Sequence, residues 1–154
     1  NPDGDVTLVV FTDYACTFCR ASMNDIERLL REDRNLKIVY REFPILSPES
    51  EAAARLALVA AQRGRYQPMH RALFMANQPD SAGRAAAASQ VGVTADAAAL
   101  NAGTISAELD SNRSFARALG INGTPTWIVG DRLMTGAVGY QALRQAIAEA
   151  RSAG

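Results

Sequence analysis

The sequence predicts an α/β fold in which a βαβ unit and a ββα unit build one sheet, with a helical domain inserted between the two halves. Three observations predict it. The chain opens with an apolar stretch, a helical pattern and an alternating stretch; its middle has helical spacing almost throughout; and its end returns to two short strand-like stretches and a helix. We expect residues 1–46 and 120–154 to form the sheet-containing domain and residues 47–119 to form the helical insertion.

The opening βαβ unit covers residues 6 to 43. A strand is predicted at residues 6 to 12, and a helix over about residues 16 to 31 follows it. The apolar residues of that helix fall on one face, at Met23, Ile26, Leu29 and Leu30. Residues 36 to 43 alternate as a second strand, and Pro44 ends this strand because proline has no backbone N–H to donate to a sheet.

The middle of the chain predicts a series of helices. Ser50 is the expected N-cap of the first one. The Ala-rich region 82–101 is interrupted at Gly92 and is expected to restart with Thr94 as a new cap, and the last helix of the series ends at Gly120. Because alanine faces let helices approach closely, we expect these helices to form a compact domain.

The end of the chain predicts a hairpin and a helix. Residues 126 to 129 and 133 to 135 read as two strands around a Gly130-Asp131 turn. The apolar residues of the last helix share one face, at Tyr140, Leu143, Ile147 and Ala150.

Composition and charge exclude several classes of partner. The chain has 154 residues, and its 16 basic residues balance 16 acidic ones, so no net charge attracts nucleic acid or anionic lipid. No apolar run approaches the ~20 residues that span a bilayer, so we expect no membrane insertion. The chain begins with Asn1 instead of Met, and we expect it to be a processed product whose signal peptide or N-terminal extension is not present.

The two cysteines, Cys16 and Cys19, are the only ones in the chain and are separated by two residues. A Cys-x-x-Cys that follows a strand and opens a helix is typical of a redox site. A disulfide between them would close a very short loop, which makes a stapling role a weak explanation. A structural zinc site needs four ligands, and the chain has no further cysteine and one histidine, which argues against zinc. Two buried core thiols are the remaining alternative.

Helix position assigns different roles to the two thiols. Cys16 lies where the unpaired N–H groups and the positive end of the helix dipole favour a thiolate. We expect Cys16 to be the exposed nucleophile. Cys19 lies one turn further in, so we expect it to be the shielded, resolving thiol that releases a mixed disulfide.

A resemblance to a known family comes from four motifs in a fixed order. They are Phe-x-Asp-Tyr-x-Cys-x-x-Cys, Arg-x-Phe-Pro, Met-His-x-x-Leu-Phe and Gly-x-x-Gly-Thr-Pro-Thr. The sequence resembles the DsbA-like, thioredoxin-fold disulfide oxidoreductases of the bacterial cell envelope, in the branch that includes copper-sensitivity-suppressor C-type proteins. The matching positions are Phe11, Asp13, Tyr14, Cys16, Cys19, Arg41, Phe43, Pro44, Met69, His70, Leu73, Phe74, Gly120, Gly123, Thr124 and Pro125.

The resemblance implies a thioredoxin fold with a helical insertion and a disulfide oxidase or isomerase activity without a cofactor. It implies that the Thr124–Pro125 bond is cis and lies against Cys16, so that the Thr124 backbone pairs with an extended client segment. Thr17 and Phe18 are expected beside the client, Phe18 through an exposed side chain. The implied partners are cysteine-containing exported proteins and a membrane or soluble redox partner, in the periplasm or cell envelope. Some relatives also assemble into oligomers through a segment that would precede Asn1.

Several alternatives stay open from the sequence. The family often carries a buried acid six residues before the first cysteine, where this chain has Val10, and Asp13, Glu42 or water could replace it in proton transfer at Cys19. The chain could instead be a non-catalytic module whose two thiols hold Cu(I). A glutathione-linked transferase or isomerase is a third hypothesis, although nothing in the sequence marks its substrate cavity.

Other distinctive residues have simpler interpretations. His70 is expected to be a structural, hydrogen-bonded residue and not an acid–base partner. Trp127, Phe43, Met23 and Met69 are expected to pack in the core.

Overall fold

A computed structural model describes all 154 residues of the chain. Its elements alternate as the sequence predicts, with a long helical block between two halves that contain the strands. In chain order they are β1 (Val6–Thr12), α1 (Thr17–Glu32), β2 (Leu36–Glu42), α2 (Pro48–Gln62), α3 (Tyr66–Met75), α4 (Ser81–Val91), α5 (Ala97–Leu100), α6 (Gly103–Ala118), β3 (Thr126–Val129), β4 (Arg132–Thr135) and α7 (Tyr140–Ala153).

The strands form one four-stranded sheet in the order β2-β1-β3-β4. β1 and β3 are antiparallel, with Leu8 opposite Val129 and Phe11 opposite Thr126. β3 and β4 form the predicted antiparallel hairpin. The predicted α/β fold, with a sheet built from the two ends of the chain, is therefore confirmed.

The chain divides into two compact units. The first contains Asn1–Thr12, Cys16–Arg41 and Asn122–Gly154, and the second contains Asp13–Ala15 and Glu42–Ile121. The second unit therefore begins five residues before the expected start at residue 47, and it also takes in a short segment from the start of the chain. That segment is attached through its side chains, since Asp13 and Tyr14 both bond to later residues of the second unit.

The first unit has a core of apolar residues from the sheet and from α1 and α7. β1 is buried along most of its length, which explains why its sequence is almost continuously apolar. Trp127 is buried, as predicted, and its indole N–H donates to the Gly136 carbonyl oxygen at 2.9 Å. The core residues are Val6, Leu8, Val10, Ile26, Leu29, Leu36, Trp127, Val129, Tyr140, Leu143, Ala146 and Ile147.

The second unit is built from helices α2 to α6. α2 contributes several alanines to the interior, and it packs against α3 and α4. Met69 and Phe43 are buried as predicted, whereas Met23 of the first unit is only half-buried. None of the seven helices of the chain combines the length and the apolar character that crossing a membrane requires.

Two predicted helix caps are wrong. α2 is capped by Ser47, whose hydroxyl accepts the N–H of Ser50 at 3.1 Å, and Ser50 itself lies buried inside the helix. Pro48 occupies the first turn, where its missing N–H costs nothing. The helix after Gly92 is capped by Asp96, which accepts the N–H of Ala99, and not by Thr94. In both cases two capping residues lie within three positions, and the tertiary fold selects one of them.

Candidate active site

The cysteine pair lies at the start of α1. Cys16 is the N-cap residue of this helix, with an extended backbone, and its Sγ accepts the N–H of Cys19 at 3.3 Å. Cys19 lies in the first turn. Both are free thiols in the structure. One of the unpaired N–H groups of the helix start therefore points at the Cys16 sulfur, where it stabilises negative charge.

The expectation that Cys16 is exposed is wrong. Cys16 is 6% exposed and Cys19 is 3% exposed, so both are buried. The reason is the direction of the Cys16 side chain, whose S–H donates to the Thr124 carbonyl oxygen at 3.4 Å. The structure thus brings Cys16, Cys19 and Thr124 together, with the sulfur held between a helix N–H and a loop carbonyl.

The loop that carries Thr124 leads directly into β3. The Thr124–Pro125 peptide bond is cis. Two hydrogen bonds hold the loop, one from the Thr126 hydroxyl to the Gly123 carbonyl at 2.8 Å and one from the Gly136 N–H to the Pro125 carbonyl at 2.8 Å. The carbonyl of Thr124 is therefore presented to Cys16 by a loop whose two neighbouring carbonyls already have partners.

The two residues between the cysteines face solvent. Thr17 is exposed, and the Phe18 side chain is 63% exposed. Phe18 therefore presents apolar surface directly beside the cysteine pair. The Phe18 backbone is fixed in the helix, where its carbonyl accepts the Ser22 hydroxyl at 2.9 Å.

A group of four polar side chains in the second unit, which we call the carboxyl cluster, consists of Glu42, Tyr14, Tyr66 and His70. Tyr66 is half-buried and the other three are buried. Oε1 of Glu42 accepts the hydroxyls of Tyr14 at 2.8 Å and of Tyr66 at 2.6 Å. Nδ1 of His70 lies 2.8 Å from the Tyr14 oxygen. The other carboxyl oxygen of Glu42, Oε2, is buried without a hydrogen-bond partner.

Burial shifts the ionisation of this cluster. It raises the pKa of Glu42 to about 8, against the lowering effect of the two tyrosine hydroxyls. It also lowers the pKa of His70 to about 3, and the pKa of Tyr14 is raised well above its ordinary value. The prediction that His70 is a structural, hydrogen-bonded residue is confirmed by its burial and by its contact with Tyr14.

A second buried carboxylate, Asp13, supports the same segment. Its Oδ1 accepts the N–H of Ala15 at 2.8 Å, and its Oδ2 accepts the N–H groups of Ile45 and Leu46 at 2.8 and 3.0 Å. Three backbone donors therefore satisfy a carboxylate that is almost completely buried.

From the sequence, Glu42 is only one of three candidates for a proton-transfer role, and Tyr66 is not identified as a functional residue. A signal was present, because Tyr66 and His70 are four residues apart and so share one face of α3. Nothing in the sequence places that face against Glu42. Val10, which occupies the position of the family's buried acid, is an ordinary core residue. The structure holds no group of three or more His, Cys, Asp or Glu side chains arranged to bind a metal ion.

Comparison with known proteins identifies the family. A family model described as the DSBA-like thioredoxin domain matches residues 7–148. A thioredoxin-like oxidoreductase from Silicibacter pomeroyi DSS-3 is 40% identical, with all of this chain and 91% of that chain covered and a TM-score of 0.93. The thiol-disulfide exchange protein α-DsbA2 from Wolbachia pipientis is 30% identical, with coverage of 97% and 83% and a TM-score of 0.85.

More distant structures share the fold. The catalytic domain of Proteus mirabilis ScsC is 23% identical, with 99% of this chain and 86% of that chain covered and a TM-score of 0.86.

Among curated proteins, the Na(+)/H(+) antiporter NhaA 3 of Salinispora tropica is 27% identical over 158 aligned residues. The alignment covers 96% of this chain but 24% of that protein, so the chain spans about a quarter of the length of this relative.

The match over residues 7–148 extends from β1 into α7, so it includes the cysteine pair, the helical insertion and the loop of Thr124. The chain therefore belongs to the DsbA-like thioredoxin domain family of thiol–disulfide oxidoreductases, with Cys16 and Cys19 as its Cys-x-x-Cys pair.

Proposed function

We propose that this chain exchanges disulfides with client proteins, with Cys16 as the nucleophile and Cys19 as the resolving thiol. The observation that carries the proposal is the hydrogen bond from the Cys19 N–H to the Cys16 sulfur at the first turn of α1. Because this donor stabilises a thiolate, it favours Cys16 as the attacking group. Cys19 lies in the first turn of the same helix, three residues after Cys16, and is proposed to resolve the mixed disulfide.

The exchange balances in two steps. In the first, the Cys16 thiolate attacks a client disulfide, forms a mixed disulfide with one client sulfur and releases the other as a thiolate. In the second, the Cys19 thiolate attacks the Cys16 sulfur and releases the remaining client sulfur. The client disulfide is thereby reduced while the pair is oxidised, and the reverse sequence oxidises a client dithiol.

The loop of Thr124 and Pro125 is proposed to hold the client. In the free thiol form, the Thr124 carbonyl accepts the Cys16 S–H. When Cys16 loses its proton, this carbonyl becomes available to accept an N–H from an extended client segment. Thr17 and the exposed Phe18 are proposed to contact client side chains next to the target cysteine. Recognition through backbone bonds and one apolar contact suits a catalyst with many clients.

We further propose that the clients are exported proteins of the cell envelope and that a separate redox partner resets the pair. A structure described as a periplasmic thioredoxin-like protein from Salmonella enterica serovar Typhimurium supports this location, with 25% identity over 97% of this chain. The direction, oxidase or isomerase, follows from the reduction potential of the pair relative to its compartment.

Exchange assays with cysteine variants test the proposal. Reduction of insulin and refolding of scrambled ribonuclease are measured for the wild type, Cys16→Ser and a Thr94→Ser control, in which the changed residue is exposed and lies outside the proposed site. The potential of the pair is measured in glutathione buffers. We expect activity in the wild type and the control, and none in Cys16→Ser. Full activity in Cys16→Ser would overturn the proposal. Tight one-to-one Cu(I) binding by a wild type without exchange activity would overturn it in favour of a metal-binding module.

A further inference from the structure

The direction of the hydrogen bonds in the carboxyl cluster follows from the number of hydrogens that each group carries. Each tyrosine hydroxyl has one hydrogen, and both hydroxyls lie within bonding distance of Glu42 Oε1. If both donate there, Tyr14 has no hydrogen left for His70, so Nδ1 of His70 must be the donor to the Tyr14 oxygen. Nδ1 also lies 3.3 Å from the Tyr66 oxygen, and the shorter contact makes Tyr14 its main partner. The result is a directed chain, from His70 to Tyr14 to Glu42, that places the Tyr14 hydroxyl between two buried groups.

This chain fixes a segment that leads directly to the nucleophile. Asp13–Ala15 belongs to the second unit although it lies early in the sequence, and Cys16 follows it immediately. Asp13 holds the segment through backbone N–H groups. Tyr14 holds it through its side chain, which is fully buried and packs against Phe74 at a centroid distance of 4.8 Å. The Tyr14 hydroxyl, and therefore Glu42, is one of two polar anchors of this segment.

The surroundings of Glu42 favour a proton on its carboxyl. Tyr14 donates to it from the segment before α1 and Tyr66 donates to it from α3, whereas His70 of α3 contacts these two tyrosines. The negative charge of Asp13 acts on it unfavourably, and Oε2 has no donor. From α6, Asn112 bonds to the Glu42 backbone carbonyl at 3.1 Å and not to its carboxyl. A carboxylate in this position would be buried with two hydroxyl donors on one oxygen and none on the other.

We propose that Glu42 is a positioning residue for the exchange reaction: its protonated carboxyl, as acceptor of the Tyr14 hydroxyl, holds the Asp13–Ala15 segment that continues into Cys16, and loss of that proton releases the segment. The proposal rests on the proposed function of Cys16. It requires no contact of Glu42 with either sulfur, and it differs from proton transfer to Cys19. The proton that Glu42 loses goes to solvent.

The physical basis of the release is the difference in proton affinity between the closed and open cluster. Burial raises the pKa of Glu42 to about 8 in the closed cluster, whereas a solvated glutamate has its ordinary value near 4.5. Between these values the open form has lost the proton and the closed form retains it. The equilibrium constant for opening therefore rises with pH, by up to about tenfold per unit, until it levels off near pH 8. Burial lowers the pKa of His70 to about 3, so His70 acts in the opposite sense below about pH 6.5 where opening exposes it, and the rise that belongs to Glu42 is measured above pH 6.5.

Two readouts on the full chain test the proposal between pH 5 and 9. The first is hydrogen exchange of the Ala15 amide, which is bonded to Asp13 and reports opening of the segment. The second is the ratio of exchange rates of the wild type and Glu42→Gln toward insulin, which cancels the ionisation of the thiols. Glutamine keeps the acceptor for both tyrosines and has no proton to lose. Glu49→Gln is the control, because Glu49 is an exposed carboxylate of the same unit.

Between pH 6.5 and 9 we expect the opening constant at Ala15 to rise with pH in the wild type and Glu49→Gln and to stay constant in Glu42→Gln. In Tyr14→Phe we expect it to be high already at pH 5, because the anchor is absent at every pH. The rate ratio of wild type to Glu42→Gln should be near one at pH 6 and fall several-fold by pH 9. Should Glu42→Gln fail to fold, the opening constant of the wild type is sufficient for the test: a rise with pH supports the positioning role, and a constant value contradicts it.

A constant wild-type opening constant, or a rate ratio that does not change with pH, would overturn the role of Glu42. This failure is distinct from failure of the proposed function. If Cys16→Ser is inactive and the wild type active while the ratio stays flat, the exchange proposal stands and only the positioning role is wrong. If the wild type has no exchange activity, the proposed function fails and so does the positioning role that depends on it.

Discussion

The cysteine pair and Glu42 of the carboxyl cluster are both buried and both ionisable, yet they are held in different ways. The Cys16 sulfur is held by backbone groups, a helix N–H and a loop carbonyl. The Glu42 carboxyl is held by side chains from two other segments of the chain, and one of its oxygens has no partner. Backbone groups at a helix start favour charge on the sulfur, whereas burial disfavours charge on the carboxyl although two hydroxyls donate to it.

The comparison shows that the donors around a buried group do not always outweigh its burial. At the Cys16 sulfur a helix N–H is directed at the acceptor, whereas at Glu42 burial outweighs two hydroxyl donors. Thr17 and Phe18 lie between the two cysteines and are exposed, so the pair lies next to surface that a client can reach. Glu42 and Tyr14 are buried, so we expect the protonation of Glu42 to be expressed as stability of the segment that Tyr14 holds.

The greatest loss of activity is expected from a change that removes the nucleophile of the cysteine pair and leaves the carboxyl cluster intact. Cys16→Ser should lower the exchange rate by at least about a thousandfold, because the serine hydroxyl is not ionised at neutral pH. Its melting temperature should stay close to that of the wild type, since serine has nearly the same size. Insulin reduction and thermal denaturation followed by circular dichroism measure the two quantities. A large fall in melting temperature would mean that the sulfur is structural, and would remove the contrast with the cluster.

The second effect is the pH dependence of stability. The pKa of Glu42 is raised to about 8 in the folded chain, above its unfolded value of 4.5, so the unfolded chain releases this proton first. The contribution of Glu42 to the free energy of unfolding should therefore fall as pH rises from about 4.5 to about 8, by on the order of a few kcal/mol. Glu42→Gln should abolish this fall. Denaturant titrations at pH 5.5 and 8.5 measure it, and an equal fall in the variant would contradict the assignment.

His70 acts in the opposite sense and sharpens this test. Burial lowers its pKa to about 3 in the folded chain, below its ordinary 6.5. Stability associated with His70 is therefore present above pH 6.5 and is lost as pH falls toward 3. In the overlap between pH 4.5 and 6.5 the two residues offset each other, so the Glu42→Gln variant should reveal a rise of stability with pH that the wild type conceals.

Much of the cysteine region could be predicted from the sequence, because its chemistry is local. Cys16 and Cys19 are three residues apart, and a strand before a helix is visible in the spacing of apolar residues. The burial of Cys16 could not be predicted, since it depends on Thr124, which lies 108 residues away. The carboxyl cluster depends entirely on such distant pairs: Tyr14 lies 28 residues from Glu42 and 56 from His70.

A smaller effect tests the exposed side of the cysteine pair. Phe18→Ala should raise the KM for a protein client about fivefold and leave kcat nearly unchanged, because an exposed apolar contact contributes about 1 kcal/mol to binding. Since the side chain is exposed, the free energy of unfolding should not change. Steady-state kinetics with insulin measure the effect. A change in kcat with constant KM would place Phe18 in the chemical step instead.

A smaller loss of stability is expected at the N-cap of α2, where a hydroxyl oxygen and not a sulfur accepts a helix N–H. Ser47→Ala should destabilise the chain by about 1 kcal/mol, because its hydroxyl accepts the N–H of Ser50 at the start of α2. Thr94→Ala is the control, since Thr94 does not cap α5, and it should have little effect. Urea denaturation compares the two variants. Equal destabilisation by the two substitutions would mean that Ser47 does not stabilise the start of α2 as an N-cap.

The most direct test of the central claim, that Cys16 attacks the client and Cys19 resolves the product, is covalent trapping. Cys19→Ser is incubated with an oxidised protein client, and the adduct is digested and mapped by mass spectrometry. In Cys19→Ser we expect a mixed disulfide between Cys16 and a client cysteine, and in Cys16→Ser we expect no comparable adduct at Cys19. An adduct at Cys19 of equal yield, or no adduct in either variant, would contradict it.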